Sequence, residues 1–197
     1  MYDNIDGNGS PTYVSNAING LPAVQFNAAS NDILALNSPV NSNFTITCVF
    51  QSTQGLTTAV NWYGGAGLVQ GEVPGVVNDF GLSLNANGQV LAGTGNPDLS
   101  TYSGTGYNNG KPHVATFERV QSTGVTTLFV DGVQVGTVTG GTQALTSPFV
   151  LGLGADPIEF DDYLTGDIGE VDIYPAVLST SQRQNVEAKL MTKWGIP

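Results

Sequence analysis

Positive charge is what this 197-residue sequence has least of: five Lys and Arg stand against 16 Asp and Glu, and none of the five occurs before Lys111. A protein that binds nucleic acid needs a basic stripe to displace counterions from phosphate, so that function is excluded. An anionic membrane surface is disfavoured for the same reason. A single Cys rules out an internal disulfide and a Cys-based zinc site, and a single His rules out the usual multi-histidine metal centres. His113 could still act as a base for a Ser or Cys nucleophile, but nothing else in the sequence supports such a site. No apolar run approaches the roughly 18 residues that span a bilayer. The N-terminus shows neither a basic region nor an apolar signal core, so the chain reads as a segment of a larger protein.

What is present is polar without being ionic. Only 11% of residues are charged, against about 25% in ordinary globular domains, while Gly, Asn, Ser and Thr are abundant. Short runs of Val, Ile, Thr, Phe and Leu recur between Gly, Asn and Pro clusters, which predicts an all-β sandwich or barrel. Strands are expected at 22–26, 33–36, 43–51, 57–63, 80–84, 89–92, 113–120, 126–130, 133–139, 149–152 and 167–174. In the third, Phe44, Ile46, Cys48 and Phe50 alternate onto one face, so Cys48 reads as a small buried hydrophobe. Asn87-Gly88 and Asp131-Gly132 supply the positive φ angles of tight primed turns. The alternation through 125–136 is that of antiparallel strands with one wet face, and it excludes a parallel α/β sheet. One helix is expected after Pro175: Ser179 and Gln182 form a capping box, Gly195 is a stop, and Val186, Leu190 and Trp194 line one face. With no repeat, linker or charge run to divide it, residues 1–197 read as one domain. Residues 64–78, 93–111 and 154–165 are too rich in Gly, Asn and Asp for strands and are expected to be long loops, where binding residues concentrate.

Four stretches in order, Pro11 to Phe26, Leu128-Phe-Val-Asp-Gly-Val133, Gly166 to Tyr174 and the Lys193-Trp-Gly-Ile196 that closes the helix, resemble the laminin-G-like (concanavalin A-like) jelly-roll domains of bacterial and phage surface proteins. Residues 67–82 followed by Gly93 to Asp98 resemble a subset found in large adhesins and exoproteins. The resemblance covers nearly the whole chain. It implies two antiparallel sheets in a jelly-roll sandwich, a concave face, and a loop rim that holds calcium and carbohydrate. It implies an extracellular module, on a cell or virion surface, of lectin, adhesive spacer or glycan-cleaving type. Fold alone does not choose among these. Endo-glucanases of the superfamily carry Glu-x-Asp-x-Glu on one strand, where period-two spacing aligns three carboxylates. Glu170 and Asp172 match the first two, but Tyr174 stands at the third, so the proton donor is missing and no catalytic residue is expected.

Calcium takes six to eight oxygen ligands, and seven carboxylates with no basic residue lie between Asp156 and Asp172. Asp156, Glu159, Asp161 and Asp162 crowd one loop, which reads either as a calcium loop or as a solvated acidic loop. Glu72 with Asp79 forms a second candidate pair, which Asn78 and the Asn96-Pro-Asp98 segment could join. The N-terminal Asp3-Asn-Ile-Asp-Gly run only partly matches a calcium loop and is discounted. For carbohydrate, an aromatic ring packs on a sugar face while Asn or Asp bonds its hydroxyls. Tyr102 and Tyr107 are the preferred exposed contacts, with Asn78, Asn96 and Trp62 as further candidates. The sequence therefore points to a non-catalytic, calcium-supported carbohydrate-binding or adhesion module. The alternatives are a structural domain that decorates or stacks in a filament, capsid or giant adhesin through contacts with other surface-protein domains, and a glycan-active hydrolase or lyase.

Overall fold

The fold is read from a computed structural model, which describes residues 2–3, 9–54, 56–146 and 150–197. Strands are numbered in chain order. One sheet has the order β1 (Tyr2–Asp3), β4 (Leu34–Asn37), β13 (Val150–Leu153), β6 (Ala66–Gln70), β7 (Phe80–Leu84), β8 (Val90–Thr94) and β9 (Leu99–Tyr102). The other has the order β12 (Val133–Thr139), β11 (Val125–Val130), β10 (Pro112–Val120), β5 (Phe44–Ser52), β14 (Gly166–Tyr174), β3 (Leu21–Phe26) and β2 (Thr12–Ile18). Every pairing between these strands is antiparallel. The result is the expected two-sheet sandwich, with one α-helix among the described residues, at the C-terminal end.

Alternation decides which side chains meet between the sheets. Phe44, Ile46, Cys48 and Phe50 of β5 point inward with Phe80, Leu82 and Leu84 of β7 and Ala115 and Phe117 of β10. The Phe44 ring centroid lies 4.9 Å from those of both Phe80 and Phe117, the latter edge to face. Cys48 is fully buried in this layer, and burial raises its thiol pKa, as expected of a packing residue.

Several sequence expectations shift. Residues 57–63 form no strand; Trp62–Gly64 is a 3-10 turn, and the strand of that region is β6, inside the stretch expected to be a loop. β9 likewise lies inside the expected 93–111 loop, and β2 was missed because its polar residues give little hydrophobic alternation. The Asp131-Gly132 turn has both residues at positive φ, but at Asn87-Gly88 only Gly88 does. There the β7–β8 connection spans residues 85–89, and Asn85 Oδ1 accepts from the backbone N–H of both Asn87 and Gln89. Phe149 of the expected 149–152 strand and Asn4 to Asp6 of the discounted N-terminal run lie outside the described residues.

The helix α1 (Thr180–Trp194) starts with the full capping box between Ser179 and Gln182 and ends at Gly195 in the left-handed region. It packs on the outer face of the β5 sheet, where Leu190 and Trp194 meet Val49, Val114, Ala23 and Ile18. Gly169 makes room for the Trp194 ring: a Cβ there would stand 2.6 Å from Cη2. Trp194 Nε1 and Lys193 Nζ both donate to Glu170 Oε2 at 2.8 Å. Burial raises the Glu170 pKa, but these two hydrogen bonds and the Lys193 charge outweigh it and hold the carboxylate below its usual range. Trp194→Ala should cost about 3–5 kcal/mol in chemical denaturation, while Glu170→Gln, whose amide oxygen still accepts from the indole, should cost less than half of that. Equal losses would mean that the charge, not the packed ring, fixes the helix.

Candidate functional site

Three of the chain's five Lys and Arg residues are bonded away from the acidic loops. Arg119 is buried and its guanidinium donates to the carbonyls of Ser42, Gly141 and Gln143. Arg183 pairs with Glu187 beneath the helix, and Lys193 with Glu170. His113 Nδ1 lies 2.7 Å from Asp131 Oδ2.

The acidic loops come from neighbouring strands. β6 and β13 pair at Gln70 and Gly152, so the loop after β6 (residues 71–79) and the loop after β13 (residues 154–165) leave the same part of the sheet. The first loop is closed by Gly71 N–H donating to the Phe80 carbonyl and Val73 N–H to Asp79 Oδ2. In the second, Asp156 Oδ1 accepts from the N–H groups of Ile158 and Glu159, at 2.7 and 3.3 Å. This loop then lies over the sheet, with Gly67 N–H donating to the Asp162 carbonyl at 2.9 Å. Gly67 is required there, since a Cβ would sit within 3.0 Å of the Ala155 backbone.

The two acidic groups that the sequence keeps apart thus merge. Single oxygens of Glu72, Asp156 and Glu159 lie within 4.8 Å of one another. Burial first, then a hydrogen bond with Asp156 and the charges of Asp156, Glu159 and Asp79, raise Glu72 from 4.5 to about 9. Burial first, with the charges of Asp98 and Asp156 added, raises Asp79 to about 7 despite the Val73 N–H. Burial first, then Asp161, Asp156 and Glu159, raises Asp162 to about 7, and Asp161 shifts up for like reasons. Glu72, Asp79, Asp98, Asp156, Glu159, Asp161 and Asp162 therefore form one electrostatic group. Glu72 Oε2 and Asp79 Oδ1 are buried without a hydrogen-bond partner. Hard oxygen donors packed this closely around no positive charge fit a divalent cation such as calcium.

Beside this group opens a cleft of about 180 Å³ lined by Trp62, Tyr63, Glu72, Val76, Asp79 and Asp98, with Gly75 on its rim. Trp62 lies on the outer face of the β7–β8 pair, and two glycines make the shelf: a Cβ on Gly93 would stand 2.3 Å from Trp62 Cδ1, and one on Gly81 2.7 Å from Cε3. The Trp62 carbonyl accepts from Ser83 Oγ and Gln70 Nε2, whereas its indole N–H, in a residue 1% exposed, has no partner. Tyr63 meets the indole edge to face at 5.4 Å and is 37% exposed, and Val76 is 65% exposed.

Of the expected sugar contacts, Trp62 lines the cleft. Asn78 and Asn96 do not line it; Asn96 Nδ2 donates to Asn78 Oδ1 at 2.9 Å, bracing loop 71–79 against the turn at 95–98. Tyr102 is exposed on β9 but does not line the cleft. Tyr107 is not an exposed contact: it is half-buried and packs edge to face on His113 at 5.0 Å. Sequence reasoning missed Tyr63, Val76 and Asp98 as lining residues, although Asp98 was named as a possible companion of Glu72. Asp167, Glu170 and Asp172 fall away from the acidic group onto β14, where Asp172 accepts from Thr47 Oγ1 and Glu170 is tied to the helix.

These features place the chain in a class. Residues 24–182 match the family model described as the concanavalin A-like lectin/glucanases superfamily, and the chain belongs to that family. Solved structures share the fold at low identity. Domain 4 of AbnA, an extracellular arabinanase of Geobacillus stearothermophilus, in complex with arabinotriose, is 15% identical with a TM-score of 0.67, over 91% of this chain and 82% of that one. The CBM40 of the Ruminococcus gnavus IT-sialidase is 14% identical with a TM-score of 0.58, over 91% and 97%. A SAP-like pentraxin of Limulus polyphemus is 13% identical with a TM-score of 0.61, over 84% and 81%. No curated protein matches the chain in sequence.

Two outcomes test this geometry. Gly93→Ala drives a Cβ to 2.1 Å from the Leu99 carbonyl oxygen as well as into Trp62 and should cost about 3 kcal/mol in urea unfolding, with the indole fluorescence altered. The second concerns pH. Carboxyls whose pKa is raised on folding hold more protons in the folded than in the unfolded chain, so metal-free stability is fullest near pH 4 and falls as pH rises towards 7–9. Melting temperatures in chelator should decline across that window, and Asp162→Asn should flatten the decline; a flat wild-type profile would contradict the cluster.

Proposed function

We propose that this chain is a non-catalytic, extracellular carbohydrate-binding module whose sugar site is supported by calcium. The observation that carries the reading is the uncompensated carboxylate group adjoining a cleft walled by Trp62 and Tyr63. Glu72, Asp156 and Glu159 hold the ion, with Asp161 and Asp162 as further oxygen donors. The ion restores the charge balance that burial denies and fixes loops 71–79 and 154–165 against each other. Tyr63 and Val76 then offer apolar contact to a sugar ring, as aromatic and apolar walls do in ligand sites generally.

The absence of catalysis is supported by the fate of the carboxylate pair on β14. Glu170 receives hydrogen bonds from Trp194 and Lys193 of the helix, and the third position of that strand is Tyr174. A carboxylate occupied in this way and lacking a partner cannot serve as nucleophile or acid to a glycosidic bond. Glycan binding is favoured because structures of the same fold were solved with arabinotriose and with sialyllactose. An extracellular location agrees with the extracellular arabinanase among them. Among the described residues no helix is long and apolar enough to cross a membrane.

Calcium at about 100 times its Kd should raise the melting temperature by about 5–10 °C, because a ligand that binds only the folded chain adds RT ln(1 + [L]/Kd). The Asp161→Asn, Asp162→Asn double variant should lose most of that shift. On a glycan array, binding should appear with calcium and vanish with chelator. Failure of calcium to change the melting temperature would overturn the metal site, and self-assembly without any glycan hit would favour a stacking domain instead.

A further inference from the structure

The acidic group does not have a single centre. Glu72, Asp156 and Glu159 converge on one side. Asp79 and Asp98 turn to the other, around Gly95: the position a Gly95 Cβ would take lies 2.0 Å from Asp79 Oδ1 and 3.1 Å from Asp98 Oδ1. Asp79 is 1% exposed, and its Oδ1 has no hydrogen-bond partner. One divalent ion among Glu72, Asp156 and Glu159 therefore leaves this second pair of carboxylates still unneutralised in the cleft.

The same cleft contains an opposite need. The Trp62 indole N–H is a buried donor without an acceptor, and Trp62 lines the cleft with Asp79 and Asp98. Buried polar groups left unpaired are costly, so a fitting ligand satisfies both kinds at once. A bare metal ion serves the carboxylates but offers nothing to an N–H. A neutral sugar offers hydroxyls to both but leaves the carboxylate charge uncompensated. An ammonium group carries three donors and a positive charge for the Asp pair, and a hydroxyl on the adjacent carbon accepts from the indole. Aromatic walls also favour a cation over an anion, since ring faces are negative.

We propose that this cleft selects the vicinal amino alcohol of a free, unacetylated amino sugar, with Asp79 and Asp98 holding the ammonium, Trp62 Nε1–H donating to the neighbouring hydroxyl oxygen, and Tyr63 and Val76 packing on the ring. The cleft volume, about 180 Å³, equals that of roughly six waters at ~30 Å³ each and suits one ring rather than an extended chain. N-acetylation removes the positive charge and adds bulk at the atom that meets the Asp pair, so the acetylated sugar is rejected. The inference rests on the reading of this cleft as a glycan site and specifies what that site takes.

The test is calorimetric titration of the full chain, with calcium held constant and at physiological salt, using the fully deacetylated glucosamine trimer, its fully N-acetylated counterpart and a neutral glucose trimer. The deacetylated trimer should bind at least tenfold more tightly than either other probe. Asp98→Asn, which removes a half-buried charge without removing bulk, should weaken it at least tenfold, and Tyr63→Ala should weaken it as well. Asp172→Asn on the opposite sheet should leave it unchanged. Equal weakening by Asp98→Asn and Asp172→Asn, or loss of binding to the wild type in moderate salt, would show diffuse attraction to an acidic protein and overturn the proposal. Binding of the neutral or acetylated trimer as tightly as the deacetylated one would overturn the amine preference and leave the glycan site standing. Binding of none of the three would overturn both.

Discussion

The repulsion among carboxylates that have no cation near them is the constraint on which the functional half of this molecule depends. Glu72, Asp79, Asp156 and Asp162 are held together by backbone bonds that the loops make for themselves, and the raised pKa values of Glu72, Asp79 and Asp162 reflect what that assembly costs in a protein whose Arg119, Arg183 and Lys193 are bonded elsewhere. A folded chain can tolerate such a group in two ways. It can keep protons on the carboxyls, or it can bind something positive. The first weakens as pH rises, and the second turns the same repulsion into affinity, since a cation gains most where charge is least compensated. The glycines follow from the same requirement: Gly67 lets loop 154–165 lie on the sheet, and Gly81 and Gly93 let Trp62 lie flat beside the carboxylates.

The two sheets divide the labour. The β5 sheet turns its outer face to the helix, which covers Val49 and Val114 and captures Glu170 through Trp194 and Lys193. On this fold that strand face is where a glucanase-like carboxylate pair would be sought, and here it is part of a packing interface. The outer face of the β6–β9 strands carries the turn with Trp62 and both acidic loops instead. Arg119, buried with its guanidinium spread over three carbonyls, ties Ser42 to the 141–143 segment.

Much of the fold was legible because its determinants are local. The inward set Phe44, Ile46, Cys48 and Phe50, the Asp131-Gly132 turn and the Ser179–Gln182 box each act within a few residues, and each is present as read. The acidic residues of the site were also legible as residue types. What could not be read was their union, because β6 and β13 are distant in sequence and become neighbours only through sheet order, which leaves no local mark. The strand expected at 57–63 failed for a related reason. Thr57, Val60 and Trp62 look like a β pattern, but the segment pairs with no strand, and Trp62 is buried by a shelf of glycines contributed by β7 and β8. Tyr107 was misjudged because a tyrosine in a Gly- and Asn-rich stretch looks exposed until His113 is placed beneath it.

The most direct measurement of the central claim is anomalous diffraction from crystals grown with calcium, recorded at a long wavelength. The account predicts a difference peak within coordinating distance of Glu72, Asp156 and Glu159, with oxygens at about 2.3–2.6 Å. A map with no peak there, at saturating calcium and with those carboxylates in the same arrangement, would contradict it.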